Sequence, residues 1–269
     1  MGVIQRQGIK SSIVSYIGVG IGALSTIYVY PHALEVLGLF RSLYDASVLV
    51  SIVILLGSTT SAVRFFQKYK DQATGHQGLL SWLLMVAGIG FLLFLVIFAF
   101  PKYWIVEYVF DKEDKGYGAY IWYLVPLALF VSLLTLLVRY ASNFRRITIP
   151  TAFEQLTIKI TLPLIFLMFI AGWLSVRDVV IGIVASFALA AIGLIYYLKY
   201  LGEWRLTRPQ ILKDKEGLKE YRKYSWYGML SGVGSMIAFR IDSLMIATLI
   251  QLQAVGIYSI AFTLSEIII

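Results

Sequence analysis

Cysteine is absent from the 269-residue chain, and histidine occurs only twice, as His32 and His76. Without cysteine the chain can form neither a disulfide framework nor a thiolate metal site. The two histidines lie far apart in sequence and show no paired spacing, so we interpret them as loop residues and not as ligands. We therefore expect no metal and no cofactor.

Charged residues are also scarce. They make up 14% of the chain, whereas hydrophobic residues make up 59%, and the mean hydropathy is +0.80. Soluble domains carry about 25% charged residues, so this chain has too little charge to coat a soluble fold. The composition predicts an all-α integral membrane protein and not a soluble enzyme. The net charge of +8 does not indicate a nucleic-acid partner, because the basic residues lie between apolar runs.

Long apolar runs fill most of the sequence. A helix needs about 20 mostly apolar residues to cross a hydrocarbon core of about 30 Å. Such runs must be helices, because lipid offers no partners to backbone N–H and C=O groups. The sequence predicts eight spans: 11–30, 43–63, 79–100, 119–141, 153–174, 179–201, 226–250 and 254–269.

Basic residues alternate between the two sides of these spans. With the N-terminus in the cytoplasm, sixteen of them fall on cytoplasmic segments and five on external segments. Cytoplasmic loops of membrane proteins are enriched in Lys and Arg, so we predict a cytoplasmic N-terminus.

A charged segment, 202–225, divides the chain into a first part with six spans, 1–201, and a second with two, 226–269. Within it, residues 209–223 could form a helix on the membrane surface or a solvated basic connector. The sequence stops at Ile269 inside an apolar run, and we expect about four further spans to follow.

A short internal repeat supports this division. Residues 35–42 and 253–260 share the pattern of Val or Leu, then Gly, then Leu or Ile, then an aromatic residue, with Gly38 and Gly256 at equivalent positions 218 residues apart. Gly38 lies just before the second predicted span, and Gly256 lies at the start of the eighth. Internal repeats of this kind are common in transporters.

Ionisable residues inside a membrane are costly and are therefore functional candidates. Arg240 and Asp242 lie in the seventh predicted span, and Lys159 lies in the fifth. Positions two apart on a helix do not face each other, so Arg240 and Asp242 do not simply pair. A structural charge pair with a neighbouring helix and contact with a ligand both remain open.

Further charged residues lie near the ends of predicted spans. Arg139 and Glu154 are expected close to the cytoplasmic face, Arg64 reads as an interface anchor, and Glu266 lies in the last span. We expect these four to line or gate a cavity. No acid is predicted at mid-depth in the first six spans.

Motifs for catalysis are missing. The sequence contains no G-x-S-x-G, no H-E-x-x-H and no G-x-x-x-x-G-K-[ST]. We therefore expect no enzyme activity and no ATPase, so transport would use an ion gradient or a substrate gradient.

Several short motifs together resemble a known family. The pattern resembles the start of polysaccharide flippases, the O-antigen and lipid-linked oligosaccharide translocases of the multidrug/oligosaccharidyl-lipid/polysaccharide exporter superfamily. The matching residues are Gln7-Gly8, Ser11, Tyr16, Gly18, Gly22, Pro31, Gly38-Leu39-Phe40-Arg41, Gly57, Arg64-Phe65-Phe66, Asp242 and Gly256-Ile257-Tyr258-Ser259.

The resemblance implies a two-lobed transporter bundle in the bacterial cytoplasmic membrane, with the first six-helix lobe and the start of the second present here. The implied cargo is an undecaprenyl-pyrophosphate-linked glycan, moved by alternating access. Arginine suits a pyrophosphate because it donates bidentate hydrogen bonds. Arg240, Lys159 and Asp242 are then the expected substrate-binding residues. The other expected partners are membrane lipids, with a monomer as the working state.

Two alternatives stay open. A drug/cation antiporter of the same superfamily would need a buried carboxylate, for which Asp242 and Glu266 are the deep candidates. A membrane-bound glycan polymerase or ligase would need a large external loop, and the longest external loop here, 101–118, is short. The lack of a mid-depth acid in the first six predicted spans counts against the antiporter and the short external loop counts against the polymerase or ligase, so both features favour the flippase.

Overall fold

All regular structure is helical in the residues that the computed structural model describes, which are 3–71, 74–99, 117–144 and 148–268. Short 3-10 turns connect several of the helices. The nine longer helices in these ranges are α1 (Val3–Tyr28), α2 (Leu34–Leu55), α3 (Ser58–Phe66), α4 (Leu79–Ala99), α5 (Leu124–Ser142), α6 (Thr148–Ile170), α7 (Val176–Tyr200), α8 (Lys215–Leu249) and α9 (Leu252–Ile268).

The outer surface of the bundle is apolar. Leu24, Leu92 and Leu189 are each more than half exposed, which suits contact with lipid and not with water. Seven of the described helices are long and apolar enough to cross a membrane. The prediction of an all-α, multi-pass membrane protein is confirmed. The eighth predicted span corresponds to α9, whose described apolar part, Leu252–Ser265, is shorter than the others.

The second span begins earlier than the predicted 43–63. Helix α2 starts at Leu34, directly after a 3-10 turn at Tyr30–Ala33, and ends at Leu55. Pro31 lies in the first turn of this 3-10 segment. Proline is favoured there because a backbone N–H at the start of a helix has no partner within the helix, so its loss costs little. Residues 34–42, which the sequence placed in an external loop, are therefore helical.

The break after α2 depends on a glycine. Gly57 has a φ of 72°, which favours a residue without a side chain. A Cβ at this position would also collide with the backbone carbonyl of Ser225 on α8. The same residue therefore ends the second span and allows α3 and α8 to touch.

Helix α8 is continuous from Lys215 to Leu249. The predicted linker 202–225 thus includes the first turns of this helix, and the division of the chain into two lobes at that point remains a prediction. Asp214 caps the helix, because its carboxylate accepts a hydrogen bond from the Gly217 N–H at 2.8 Å. That bond and the nearby Lys68 ammonium lower the pKa of Asp214.

The first turns of α8 pack on α3. Ser61 and Ser225 are joined by a hydrogen bond of 2.6 Å, and the Tyr221 hydroxyl donates to Ser58 at 3.2 Å. Residues 215–225 therefore pack one face on α3, while the basic side chains of Lys219, Arg222 and Lys223 stay exposed.

The two copies of the repeat meet where α2 crosses α9. A Cβ on Gly38 would collide with the carbonyl of Leu252, and a Cβ on Gly256 would collide with the carbonyl of Leu34. Leu34 and Leu252 are separated by the same 218 residues as the two glycines. The contact is therefore reciprocal, as a two-fold relation between the copies requires, and it lets the two backbones approach closely.

Candidate functional site

One face of α2 carries three polar side chains. Arg41, Tyr44 and Asp45 are three and four positions apart, so they share a face of the helix. Asp45 lies at the midpoint of the 22-residue helix, and its side chain is 4% exposed. The expectation that the first six spans hold no acid at mid-depth was wrong, because it rested on the later start assigned to this span.

Arg240 of α8 pairs with this acid. Its Nη1 donates to Asp45 Oδ1 at 2.7 Å, and its guanidinium carbon lies 5.8 Å from the centre of the Tyr44 ring. The Arg240 side chain is still 34% exposed. The pair therefore joins a buried carboxylate to a cation that remains accessible.

Arg240 lines a cavity of about 500 Å³ inside the bundle, which we call the cationic cavity. Helices α1, α2, α5, α6, α8 and α9 supply its walls. Among the described residues its charged lining consists of four cations and one carboxylate, so its charge favours an anion. Those residues are Arg41, Arg139, Glu154, Lys159 and Arg240.

Arg41 presents unused hydrogen-bonding capacity to this space. Its Nη2 donates to the Thr263 hydroxyl at 3.5 Å, a long bond, and its buried Nε has no partner among the described atoms. Buried polar groups are nearly always hydrogen-bonded, so an unpartnered N–H beside a cavity points to an acceptor in that cavity.

Glu154 and Lys159 reach the cavity from α6 because of a local irregularity. Residues Ala152–Leu156 form a π-helical turn, in which the backbone bonds run from residue i to i+5. That winding brings positions five apart towards one face, and both side chains line the cavity. Lys159 extends across Gly18 of α1, where a Cβ would lie 3.1 Å from the lysine Cδ.

A second pocket of about 570 Å³ adjoins the first. Arg139, three residues from the end of α5, borders both. Arg64 and Tyr224 line the second pocket, with the Arg64 guanidinium 4.4 Å from the Tyr224 ring centre and 3.2 Å from a Glu220 oxygen. Residues of α3, α5 and α8 line this pocket, and it shares Arg139 with the cationic cavity.

The structure thus gathers four of the seven predicted site residues at one cavity and places Arg64 at the adjoining pocket. Asp242 lies elsewhere: it is exposed and accepts a hydrogen bond from the Tyr258 hydroxyl at 3.1 Å. The side chain of Glu266 lies outside the described residues.

Arg41 and Asp45 were missed by the sequence analysis. The available signal was Pro31 followed by Glu35, since proline in a first turn and an acid near a helix start both indicate an N-terminus. A span beginning there would have placed two oppositely charged residues, Arg41 and Asp45, inside the membrane.

An apolar cavity of about 510 Å³ lies on the other side of α2. Leu43, Ala46 and Val50 face it from α2, and Phe94 and Leu244 close it from α4 and α8. Helix α2 therefore separates a charged space from an apolar one.

The family model described as polysaccharide biosynthesis protein matches residues 10–269. No curated protein and no solved structure matches the sequence.

Proposed function

We propose that this chain, which belongs to the polysaccharide biosynthesis protein family, carries a lipid-linked oligosaccharide or polysaccharide precursor across the bacterial cytoplasmic membrane. The transfer proceeds by alternating access of a central cavity, with the N-terminus in the cytoplasm. Family membership supports a role in handling polysaccharide precursors, and the apolar helical bundle supports a role within the membrane.

The cationic cavity is the observation that carries the proposal. A charged side chain at the centre of a membrane helix costs about 2.5–3.5 kcal/mol on the insertion scale. Four cations and one carboxylate line the cavity, and Asp45 neutralises one of the cations, so the cavity keeps a net positive charge that an anion would offset. A pyrophosphate provides that anion, and undecaprenyl-pyrophosphate-linked glycans are the cargo that the family resemblance implies.

Each cation has a distinct place in this scheme. Arg240 and Lys159 hold the pyrophosphate, and Arg41 adds the unpartnered Nε described above. Arg139, which borders both pockets, meets the headgroup as it enters from the cytoplasmic side. Arg64, bonded to Glu220 of α8, closes that entrance.

The proposed role is transport without a chemical step. The protein acts as a monomer within the bilayer, and the cargo leaves with the bonds it had on entry. Membrane lipids are its surroundings, and no cofactor takes part.

Transport of a fluorescent lipid-diphosphate-linked sugar in proteoliposomes tests the proposal. We expect Lys159→Gln to reduce the transport rate at least tenfold at normal protein abundance, because it removes a cavity cation. Lys199→Gln is the matched control, since Lys199 is exposed at the end of α7 and should leave transport unchanged. Full transport by Lys159→Gln would contradict the headgroup site.

Asp45 supports a second candidate function, drug/cation antiport. A buried carboxylate at mid-helix is the group such an exchanger needs, and Asp45 occupies that position. Its bond to Arg240 counts against a free cation site, because the arginine already neutralises it. Efflux of a cationic dye from energised vesicles, lost in Asp45→Asn, would favour the antiporter.

A further inference from the structure

Two contacts hold α1 against α6. Near the start of both helices, the Thr148 hydroxyl donates to the side-chain oxygen of Gln7 at 2.7 Å. Farther along, Lys159 of α6 lies across Gly18 of α1. The two contacts are eleven residues apart on each helix, which is close to three turns of about 3.6 residues. The two helices therefore lie side by side in a fixed register, and that register places a glycine opposite the lysine.

The residue at position 18 determines how much room Lys159 has. A Cβ on Gly18 would lie 3.1 Å from the lysine Cδ and 3.4 Å from its Nζ. The first distance is shorter than an ordinary van der Waals contact, so the lysine would have to move. Leu156 crowds the same place, because its Cδ2 would lie 3.5 Å from that Cβ. A side chain at position 18 would therefore displace a side chain that lines the cationic cavity.

Other glycines of α1 do not share this constraint. Gly18 is buried, whereas Gly20 is exposed. A Cβ on Gly20 would meet nothing within 4 Å, and the same holds for Gly22, which itself lines the cationic cavity. The need for a residue without a side chain is therefore specific to position 18 and does not follow from the general packing of α1.

We propose that Gly18 is a positioning residue of the headgroup site: the absence of a side chain there lets Lys159 present its ammonium to a diphosphate in the cationic cavity. Gly18 acts through Lys159. This inference rests on the proposed function. Its consequence is that α1 sets the position of a cation that α6 supplies, so the affinity of the cavity for a diphosphate depends on how closely these two helices pack.

Binding of a short-chain diphosphate to the purified full chain in nanodiscs measures this effect. The probe is citronellyl-diphospho-N-acetylglucosamine. Lys159→Gln should weaken binding at least about tenfold, because a hydrogen bond to a charged group is lost. Gly18→Ala should weaken it about threefold and Gly18→Val about tenfold, since a larger side chain displaces the same ammonium farther. Gly20→Ala is the matched control and should bind as the wild type does.

A double-mutant cycle separates positioning from helix packing. In the Lys159→Gln background, Gly18→Ala should cause no further loss of affinity, because the ammonium that it would displace is already gone. Gly18→Ala alone should keep the wild-type protein abundance. An equal loss of affinity in both backgrounds would show that Gly18 acts through the packing of α1, and it would overturn the inference.

The single variants distinguish this inference from the proposed function. Weaker probe binding by Lys159→Gln together with wild-type binding by both Gly18 variants would overturn the positioning role and leave the headgroup site standing. Wild-type binding by Lys159→Gln, or no probe binding by the wild-type protein, would overturn the headgroup site and the positioning role together.

Discussion

Replacing Arg240 with alanine isolates the energetic role of the ion pair at the centre of the bundle. The change removes the cation that lies 2.7 Å from a carboxylate with a 4% exposed side chain. Breaking a buried pair by removing one partner costs about 3–5 kcal/mol, because the remaining charge is uncompensated. Arg240 is 34% exposed, so water can enter part of the vacated space. We therefore expect a loss of about 3 kcal/mol in the free energy of unfolding, at the lower end of that range.

Thermal unfolding of the purified proteins in detergent measures this loss, and two double variants test whether the unpaired charge causes it. Arg240→Ala with Asp45→Asn leaves no buried charge, so most of the lost stability should return. Asp45→Arg with Arg240→Asp restores a pair of opposite charges and should also recover stability. Transport should remain low in all three proteins, because each lacks the cation at position 240 that faces the cavity.

Asp242→Ala serves as the control on the same helix. Asp242 is exposed, and substitutions at exposed positions usually change stability by less than about 0.5 kcal/mol. If Arg240→Ala unfolds at the wild-type temperature, the ion pair contributes nothing measurable and the argument from burial is wrong.

Three further outcomes are expected. Gly38→Ala should lower folded protein abundance sharply, because the added Cβ meets the backbone of α9, whereas Gly20→Ala, with open space around it, should be tolerated in the same expression assay. Arg64→Ala should leave the thermal unfolding temperature almost unchanged, since the pair with Glu220 is exposed, and a clear drop in that temperature would refute the argument. A periplasm-dependent reporter fused at Lys213 should stay inactive if the N-terminus is cytoplasmic, and activity there would reverse the orientation.

The sequence predicted helices best where an apolar run ends at strong polar signals. The sixth span, predicted at 179–201, is observed at Val176–Tyr200. Ser175 and Asp178 form a reciprocal capping box at the start of this helix. The second span was misplaced because its first half carries Glu35, Arg41 and Asp45. Arg41 and Asp45 face the interior of the protein and not lipid, and the hydropathy of one segment carries no information about the neighbouring helices that surround these residues.

The sequence identified part of the candidate site through the energetic cost of placing a charge inside a membrane span. Arg240 and Lys159 stood out because charge inside a span is expensive. Their partners did not, since the bond from Arg240 to Asp45 joins positions 195 residues apart. The placement of Glu154 and Lys159 on the same cavity depends on a π-helical turn that no sequence pattern indicated.

The reciprocal crossing of α2 and α9 has a consequence for charge. Under the 218-residue relation, Asp45 of the first copy corresponds to Thr263 of the second. Arg41 donates its long hydrogen bond to that same Thr263. Two identical copies would place a carboxylate there, and the arginine would be neutralised across the crossing. A hydroxyl at that position instead keeps the backbone fit of a symmetric pair while leaving the positive charge of Arg41 to act on whatever enters the cavity.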